Sequence, residues 1–414
     1  MAAAVKRLLA ISWAMPPAVF PRSLQVSRSL HVLAGMGWDI TVICSEPPPG
    51  ATIDPELEKK YLGSYRTARI CPDGLPPRRR FFWQDSKYQG VAETESSWIE
   101  AAISRAISTA KQTRFDALAT FAQPWSDHLI GLDLKSKLRL PWVAHFSDPW
   151  ADNPYSATAI PKVREQVQKA ERRVISAADR IVFTNSRTVD LVMRKYPADW
   201  RRRVCVVPHG FESRPPLAAN ADSRNRMKLV HTGDLYGLRN PDAFLRALGK
   251  LAARRDLDGR IEAVFVGSVP ETSRNLCNEM DLQPLVRFAG RLTSSEAAEE
   301  AAQADVLLVI DAPADNSVFL PSKLIDYLAF DRPIFGLTPK EGAAADLLAA
   351  FGYPVAAPDD EAAVLAALEQ LFAQWSEGVL RSAQPASNDV RRYRIEETTR
   401  GLDEALHAAI GEAR

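Results

Sequence analysis

An apolar run, a helical pattern and a second apolar run follow one another between Leu8 and Cys44, in the sequence LLAISWAMPPAVFPRSLQVSRSLHVLAGMGWDITVIC. The pattern predicts a strand over Leu8–Ser12, a helix over Arg22–Gly35 that ends at a glycine, and a strand over Asp39–Cys44. A strand, a helix and a strand in this order form the βαβ unit of a parallel sheet covered by helices.

The same alternation continues along the chain and restarts after residues 214–225, RPPLAANADSRN, whose composition is typical of a linker. In the first half we predict further strands at Ala117–Phe121, Trp142–Phe146, Arg180–Thr184 and Val204–Pro208, and a charged helix at Lys162–Ala177. In the second half we predict strands at Lys228–Thr232, Ile261–Gly267, Val286–Gly290, Asp305–Asp311, Pro333–Leu337 and Tyr353–Val355.

Start signals mark two helices of the second half. Asn240-Pro241 combines a cap with a first-turn proline, and Thr293 with Glu296 forms a capping box. The tail Val390–Ala413 has the pattern of one long amphipathic helix. The chain therefore divides into residues 1–213, a linker at 214–226, a second domain at 227–388 and a C-terminal segment at 389–414.

Composition narrows the possible functions. The 414 residues are 46% hydrophobic and 25% charged with a net charge of +1, which is typical of a soluble two-domain protein and gives no global field for nucleic acid. The four cysteines form no CxxC pair and indicate a reducing compartment, while the six histidines show no ligand spacing. The N-terminus lacks the shape of a signal peptide, and no apolar run reaches 18 residues, so we expect a cytoplasmic protein.

The segment LPSKLIDYLAFDRPI, from Leu320 to Ile334, carries candidate binding chemistry. Lys323 and Asp326 stand three residues apart and share one face of a helix, with Pro321 at its start and Ser322 as a fair cap. Helical N–H groups and a lysine suit a diphosphate, and the carboxylate suits ribose hydroxyls, so the set fits a sugar nucleotide. An ordinary amphipathic helix with a solvated Lys and Asp would have the same sequence.

The first strand-to-helix turn argues against one common class of Rossmann-type enzyme. Its residues, SWAMPPAVFPRS, contain no GxGxxG, which a dinucleotide-binding dehydrogenase needs for the approach of a pyrophosphate. Two consecutive Rossmann-like halves instead predict a deep cleft between domains, with ligands outside the carboxyl ends of the strands.

Several segments, taken in order, resemble the GT-B fold glycosyltransferases of family 4, the retaining, nucleotide-sugar-dependent group. They are MPPAVFPRSLQVSRSLHVLAGMGWDITVICSEP, HFSDPW, ADRIVFTNS with VVPHGFE, HTGDLYGLRNPDAFLRAL, VFVG, VRFAGRLTSSEA and LPSKLIDYLAFDRPI. The resemblance covers nearly the whole chain. It implies an α/β fold of two Rossmann-like domains that face each other across a cleft, with a C-terminal helix that crosses back to the first domain.

The resemblance also implies a donor site on the second domain. Arg239 and Lys323 correspond to the cations that hold the diphosphate, Gly233 to the turn that approaches the donor, and Asp326 to an acidic residue that binds ribose. Gly290 and Leu292 flank the segment that contacts the base, and Ser322 and Leu324 complete the predicted set. Two residues depart from the family pattern. Asp234 stands where many relatives have Arg, and Val318 stands where the family has its first Glu.

Acceptor binding and catalysis are implied for residues of the first domain. Asp148, in HFSDPW, matches a recurrent acidic position near the reacting sugar, and His145 lies close to it in sequence. Strand alternation places His145 and Ser147 on one face and Asp148 on the other face or in the turn. Ser147 stands where some relatives have a histidine, which is a further departure from the family pattern. Arg22, after the first strand, suits an anionic acceptor. We interpret His209 as structural, and His145 is equally compatible with a core histidine held by one hydrogen bond.

A basic and aromatic segment follows Pro76. Arg78, Arg79, Arg80, Phe81, Phe82 and Trp83 suit a peripheral contact with an anionic membrane, while a plain surface loop or a nucleic-acid contact are competing interpretations. No recognised nucleic-acid module accompanies the segment, so we expect no nucleic-acid partner.

The resemblance implies a retaining, metal-independent, hexosyltransferase-type enzyme without a cofactor. It would move a sugar from a nucleotide-sugar donor to a lipid-linked saccharide in cell-surface polysaccharide synthesis, in the cytoplasm or at the inner face of the membrane. Two alternatives stay open. One is a nucleotide-sugar epimerase on the same fold, and the other is a non-catalytic nucleotide-binding subunit of a polysaccharide assembly complex, favoured by Val318, Asp234 and Ser147.

Overall fold

The computed structural model describes residues 5–71, 96–154, 160–213, 225–254, 259–380 and 390–412. They form two compact units, Met1–Gly210 with Arg394–Arg414 and Phe211–Tyr393. Residues 78–83, the candidate membrane contact, and most of the predicted linker lie outside the described residues. The predicted domain boundaries, and the predicted cleft between the domains, stay predictions.

The first unit has a parallel sheet with helices on both faces. Its strands are β1 (Lys6–Ile11), β2 (Trp38–Ser45), β3 (Arg66–Ile70), β4 (Ala117–Ala122), β5 (Trp142–Phe146), β6 (Arg180–Phe183) and β7 (Val204–Val206). Its helices are α1 (Pro21–Gly35), α2 (Pro55–Lys60), α3 (Ser96–Gln112), α4 (Ser126–Leu138), α5 (Pro161–Ala177) and α6 (Ser186–Met193), followed by a 3₁₀ turn at Ala198–Arg203. The strand order is β3-β2-β1-β4-β5-β6-β7.

The second unit repeats the pattern. Its strands are β8 (Met227–Thr232), β9 (Ile261–Val266), β10 (Val286–Gly290), β11 (Val306–Ile310), β12 (Asn316–Ser317), β13 (Ile334–Leu337), β14 (Glu341–Gly342) and β15 (Val355–Ala356). Its helices are α7 (Asp242–Arg254), α8 (Glu271–Glu279), α9 (Ser294–Ala302), α10 (Ser322–Tyr327), α11 (Ala343–Ala350) and α12 (Glu361–Ser376). The main sheet has the order β10-β9-β8-β11-β13-β15, and β12 pairs with β14.

The last helix, α13 (Ile395–Glu412), belongs to the first unit, as the predicted fold requires. Leu402 and Leu406 are buried in the core between this helix, α1 and the sheet, and Trp38 Nε1 donates a hydrogen bond to Asp403 (2.7 Å). The helix begins later than predicted because Arg391–Tyr393 form a separate 3₁₀ turn.

Strand order fixes where a ligand is expected. In each sheet the order reverses, between β1 and β4 in the first unit and between β8 and β11 in the second. Open parallel sheets bind ligands outside the carboxyl ends of the strands at this point, because the helices on either side diverge there. Residues that follow β8 and β11 are therefore the natural candidates for a site on the second unit.

Most predicted strands are confirmed, and so is the capping box of Thr293 with Glu296. Asn240 Oδ1 accepts a hydrogen bond from the N–H of Asp242 at the predicted helix start, but Pro241 precedes α7 instead of lying in its first turn. Two further predictions are wrong or incomplete. Ser322 is the first residue of α10 rather than its cap, since Pro321 occupies the cap position without a side-chain bond. The edge strand β3 was not predicted.

Candidate functional site

Glycines follow or end three neighbouring strands of the second unit. Gly233 follows β8, Gly267 follows β9 and Gly290 ends β10. The N–H of Gly267 donates to the carbonyl of Gly290 (2.6 Å). A Cβ on Gly267 would lie 2.5 Å from the backbone of Gly233, and the two residues have φ values of 119° and 110°. Both positions therefore require glycine, and the turns pack closely at the carboxyl edge of the sheet.

Lys323 lies directly against the Gly233 turn. A Cβ built on Gly233 would fall 1.9 Å from Lys323 Nζ, so the side-chain nitrogen occupies the space that glycine leaves open. The lysine is half-buried in the first turn of α10. Burial and the nearby charge of Arg239 lower the pKa of Lys323 to about 7, although Asp326 and Asp234 oppose the shift.

Arg239, in the loop after β8, is held by a carboxylate from the next strand. Its guanidinium donates to Asp311 Oδ1 (2.7 Å) and lies over the ring of Tyr236 at 5.6 Å. Asp311 follows β11 directly and is fully buried, and its Oδ1 also accepts the N–H of Ala312 (2.9 Å). The switch point between β8 and β11 thus brings together two cations and one buried anion.

Two residues beneath the cations support this arrangement. Tyr327, on the same helix as Lys323, accepts a hydrogen bond from the N–H of Thr232 (2.8 Å), which ties α10 to the end of β8. His231 is buried, and its Nδ1 lies 2.9 Å from the carbonyl of Leu308. Burial and Lys323 lower the pKa of His231 well below its usual value, so this ring is neutral and adds no third charge.

Asp234, the first departure from the family pattern, connects three loops. Its Oδ1 accepts the N–H of Ser268 (2.7 Å), and its carboxylate binds the guanidinium of Arg291, with a shortest distance of 2.9 Å. Partial burial favours the neutral acid, but the bonds from Arg291 and Ser268 outweigh it and lower the pKa of Asp234. Asp234 is not a cation itself, but its carboxylate binds one, Arg291, which lies between Gly290 and Leu292 in the sequence.

The remaining predicted donor residues surround the same edge. Gly290 and Leu292 are half-buried, and Leu292 packs against the core of the unit. Asp326 and Ser322 are half-buried on α10, whereas the side chain of Leu324 is fully buried. The N–H of Leu324 bonds to the carbonyl of Pro321 (3.0 Å), so this group is not among the free N–H groups that the sequence suggested.

The first unit brings Arg22 and His145 into direct contact. Arg22 Nη2 donates to His145 Nδ1 (2.9 Å) and to the carbonyl of the same residue (3.3 Å). Arginine has no acceptor, so Nδ1 must present its lone pair and Nε2 must carry the proton. Burial and Arg22 lower the pKa of His145 well below its usual value, which keeps the ring neutral. His145 can therefore offer a hydrogen-bond donor at Nε2.

Asp148 lies in the bend after β5, as one of the two predicted alternatives requires. Gln123 Nε2 donates to its Oδ2 (3.0 Å). Burial raises the pKa of Asp148, and the positive charge of Arg22 opposes that rise. In turn, burial lowers the pKa of Arg22 to about 10, against the attraction of Asp148 and Asp127. The three predicted acceptor residues thus form one electrostatically coupled group.

A buried carboxylate anchors the loop that carries Asp148. Glu171, on α5, is fully buried and accepts the N–H of Ala151 (2.8 Å) and the hydroxyl of Tyr196 (2.6 Å). Lys195 Nζ pairs with it at 2.7 Å.

His209 lines the same small depression as Arg22 and His145. Burial is the main cause that lowers the pKa of His209 to about 3, and the positive charges of Arg22 and Arg28 lower it further. A neutral ring agrees with the structural interpretation of His209.

Sequence reasoning missed Asp311, Arg291, Tyr327 and Glu171. For Asp311 a signal was present, because it is the polar residue that directly follows a predicted apolar strand at the ligand-binding edge. The others become visible as site residues only through contacts between distant segments. Among the described residues, no group of three or more His, Cys, Asp or Glu is placed to hold a metal ion, and no helix is long and apolar enough to cross a membrane.

Comparisons with known proteins agree with this architecture. Residues 24–210 match the family model of the glycosyl transferase 4-like domain. The chain is 28% identical over 166 residues to a D-inositol 3-phosphate glycosyltransferase of Kineococcus radiotolerans, a match that covers 36% of this chain and 37% of the relative. The chain therefore matches little more than a third of the length of that curated relative.

Solved structures extend the likeness to both units. A sucrose-phosphate synthase from Thermosynechococcus elongatus superposes with a TM-score of 0.70 at 15% identity, over 96% of this chain and 98% of the other. The chain has the GT-B fold, and its residues 24–210 are similar to the glycosyl transferase 4-like domain. A UDP-N-acetylglucosamine 2-epimerase superposes with a TM-score of 0.60 at 13% identity, over 97% and 95% of the two chains. These likenesses establish the fold, and the donor and acceptor have to be argued from the residues of this chain.

Proposed function

We propose that the protein transfers a hexosyl group from a nucleotide sugar to a saccharide acceptor, with retention of anomeric configuration and without a metal. The observation that carries the proposal is that Lys323 lies against the Gly233 turn, with Arg239 close enough to lower its pKa, at the switch point of the second sheet. Two cations beside a close backbone turn suit a diphosphate. The names of the curated relative and of the sucrose-phosphate synthase support glycosyl transfer.

The donor would bind along the carboxyl edge of the second sheet. Arg239 and Lys323 would hold the diphosphate, the backbone around Gly290 and Leu292 would meet the base, and Asp326 would accept ribose hydroxyls. In the reaction, the bond between the anomeric carbon and the phosphate oxygen breaks, and a bond to the acceptor oxygen forms on the same face. A donor phosphate oxygen takes the acceptor proton, and the two cations stabilise the departing diphosphate.

The acceptor would bind to the first unit. Arg22, Asp148 and neutral His145 provide a cation, a carboxylate and an N–H donor, a set that suits hydroxyl and anionic groups of a saccharide. We further propose that the acceptor is lipid-linked, that the product belongs to a cell-surface polysaccharide, and that the protein works in the cytoplasm or at the inner membrane face. Residues 78–83 would supply the membrane contact.

An epimerase remains the second candidate because its fold is shared. An epimerase needs groups that remove and return protons. The hydrogen bond from Arg22 occupies His145 Nδ1 and keeps the ring neutral, so His145 offers a donor at Nε2 and no proton acceptor. Incubation of the protein with a nucleotide sugar alone separates the two activities, since an epimerase converts its donor without any acceptor. A non-catalytic subunit would bind nucleotide without turnover.

The proposal is tested by calorimetric titration of UDP, GDP and ADP into the wild-type protein and into Arg239→Ala. We expect saturable binding of one nucleotide, weakened about tenfold or more by the substitution. Arg254→Ala is the matched control, because Arg254 lies at the end of α7 and pairs with Glu369 on the surface. If no nucleotide binds to the wild type, the proposed donor site is wrong.

A further inference from the structure

The buried carboxylate of Asp311 has no role in the reaction described so far. It lies one residue beyond β11 with no exposed surface, and its Oδ1 accepts hydrogen bonds from Arg239 (2.7 Å) and from the N–H of Ala312 (2.9 Å). Within the described residues, Oδ2 is buried without a hydrogen-bond partner. Burying a carboxylate costs free energy when one of its two oxygens accepts no hydrogen bond. The position of Asp311 beside Arg239 therefore needs an explanation.

Asp311 gives the side chain of Arg239 a buried partner. Arg239 stands in the loop of residues 233–241, in which Tyr236 and Leu238 are 65% and 69% exposed. A free arginine side chain loses up to about 2 kcal/mol of rotamer entropy when it is fixed. A carboxylate that binds the guanidinium holds it in one orientation before the ligand arrives, which lowers the entropy cost of binding.

Stability alone does not account for the pair. A buried ion pair is often no more stable than apolar residues of the same size, because both charges lose their hydration. The pair also joins two segments that are 72 residues apart, at the point where the strand order reverses, so it acts on the ligand-binding edge.

We propose that Asp311 is a positioning residue that aims the guanidinium of Arg239 at the diphosphate of the donor. The inference rests on the proposed function, since it assigns Arg239 to that diphosphate. Asp311 would touch neither substrate nor product, and it would act through Arg239 alone.

The chain offers a matched control for Asp311. Asp305 stands directly before β11, at the opposite end of the same strand, and is also buried. Its Oδ2 accepts the N–H of Lys228 (2.9 Å) at the amino edge of the sheet, away from the proposed site. Asp305→Asn and Asp311→Asn therefore remove the same charge from the two ends of one buried strand.

The experiment compares affinities for the nucleoside diphosphate that the wild type binds and for the corresponding nucleoside. We expect Asp311→Asn to weaken binding of the diphosphate about tenfold while the affinity for the nucleoside changes less than about twofold. Asp305→Asn should change neither affinity by more than about twofold. In an Arg239→Ala background, Asp311→Asn should cause no further loss, because its effect passes through the arginine.

Several results would overturn the positioning role. The role is refuted if Asp311→Asn binds the diphosphate with wild-type affinity. It is also refuted if the variant binds more tightly, because Asp311 would then hold Arg239 away from the ligand. An equal loss for nucleoside and diphosphate would indicate a structural role. If Asp311→Asn does not fold, Arg239→Lys serves instead: an ammonium cannot hold carboxylate and phosphate with one planar fork, so wild-type affinity there would refute the inference. A wild type that binds no nucleotide would refute the proposed function itself.

Discussion

If the proposed donor site is correct, the pKa of Lys323 should make nucleotide affinity depend on pH. In the unliganded protein, burial and Arg239 lower this pKa to about 7, so the side chain is largely neutral above neutral pH. A bound diphosphate needs the ammonium form, and its negative charge stabilises that form. Binding above pH 7 should therefore take up a proton, and affinity should fall as the pH rises.

The expected magnitude follows from the charged fraction of Lys323. With a pKa of about 7, that fraction is roughly 24% at pH 7.5 and roughly 1% at pH 9.0, so the Kd should rise about 24-fold. The window lies above the second ionisation of a phosphate, near pH 6, so the ligand keeps its charge. The neighbouring side chains also keep their charge states in this window. The pKa values of His231 and Asp234 are lowered and that of Tyr327 is raised. Arg239 carries a guanidinium, which stays charged.

The stability of the free protein should change in the opposite direction. The folded-state pKa of Lys323 lies below its unfolded value of 10.5, so between pH 7 and 10.5 the unfolded chain binds more protons. This group therefore contributes more stability as the pH rises through that window, and the contribution is lost as the pH falls through about 7. Affinity falls while this contribution to stability grows, which separates the effect from general alkaline unfolding.

The assay is calorimetry at pH 7.5, 8.0, 8.5 and 9.0 in two buffers of different ionisation enthalpy, which also counts the protons taken up. Lys323→Arg is the control, since a guanidinium stays charged throughout and should flatten the profile. Lys323→Met should bind weakly without a slope. A wild-type Kd that does not change across this range would refute the reasoning, and so would an equal slope in Lys323→Arg.

Three further substitutions test the architecture. Gly233→Ala places a Cβ 1.9 Å from Lys323 Nζ on a backbone with a φ of 110°, so it should cost about 1–2 kcal/mol in urea unfolding and weaken nucleotide binding; wild-type values in both would contradict the close turn. Glu171→Gln breaks a buried pair with Lys195 and should lower stability by about 2–3 kcal/mol, whereas unchanged unfolding would mean that the network does not anchor the Asp148 loop. Thr293→Ala removes a capping box and should cost about 1 kcal/mol without a change in nucleotide affinity, which calorimetry checks.

The sequence predicted the elements better than it predicted the contacts between them. The strands of both sheets were found because buried parallel strands are continuous apolar runs. The strand β3, RTARI, was not predicted because its two arginines break that pattern. It forms as an edge strand by pairing with β2. The predicted cap at Ser322 failed because Pro321, which has no N–H to satisfy, already ends the preceding loop.

The predicted site shows the same limit. Lys323 was identified from its spacing with Asp326 on one helix face and Arg239 through a family resemblance, and the sheet order explains why the two residues lie near each other. Asp311 lies 72 residues from Arg239, and Arg291 lies 57 residues from Asp234, so neither pair follows from local spacing. Such pairs arise because strands that are neighbours in the sheet need not be neighbours in sequence.

These contacts bear on whether the site still binds a ligand. Of the two departures in the second unit, Asp234 is explained, because it binds Arg291 and the N–H of Ser268 and so serves the loops at the binding edge. Val318 remains a departure. A site that had lost its ligand would gain nothing from the Arg239–Asp311 pair, since apolar side chains of similar volume would be at least as stable in a buried position. The pair therefore favours a site that still binds an anion over a subunit that uses the fold as a scaffold.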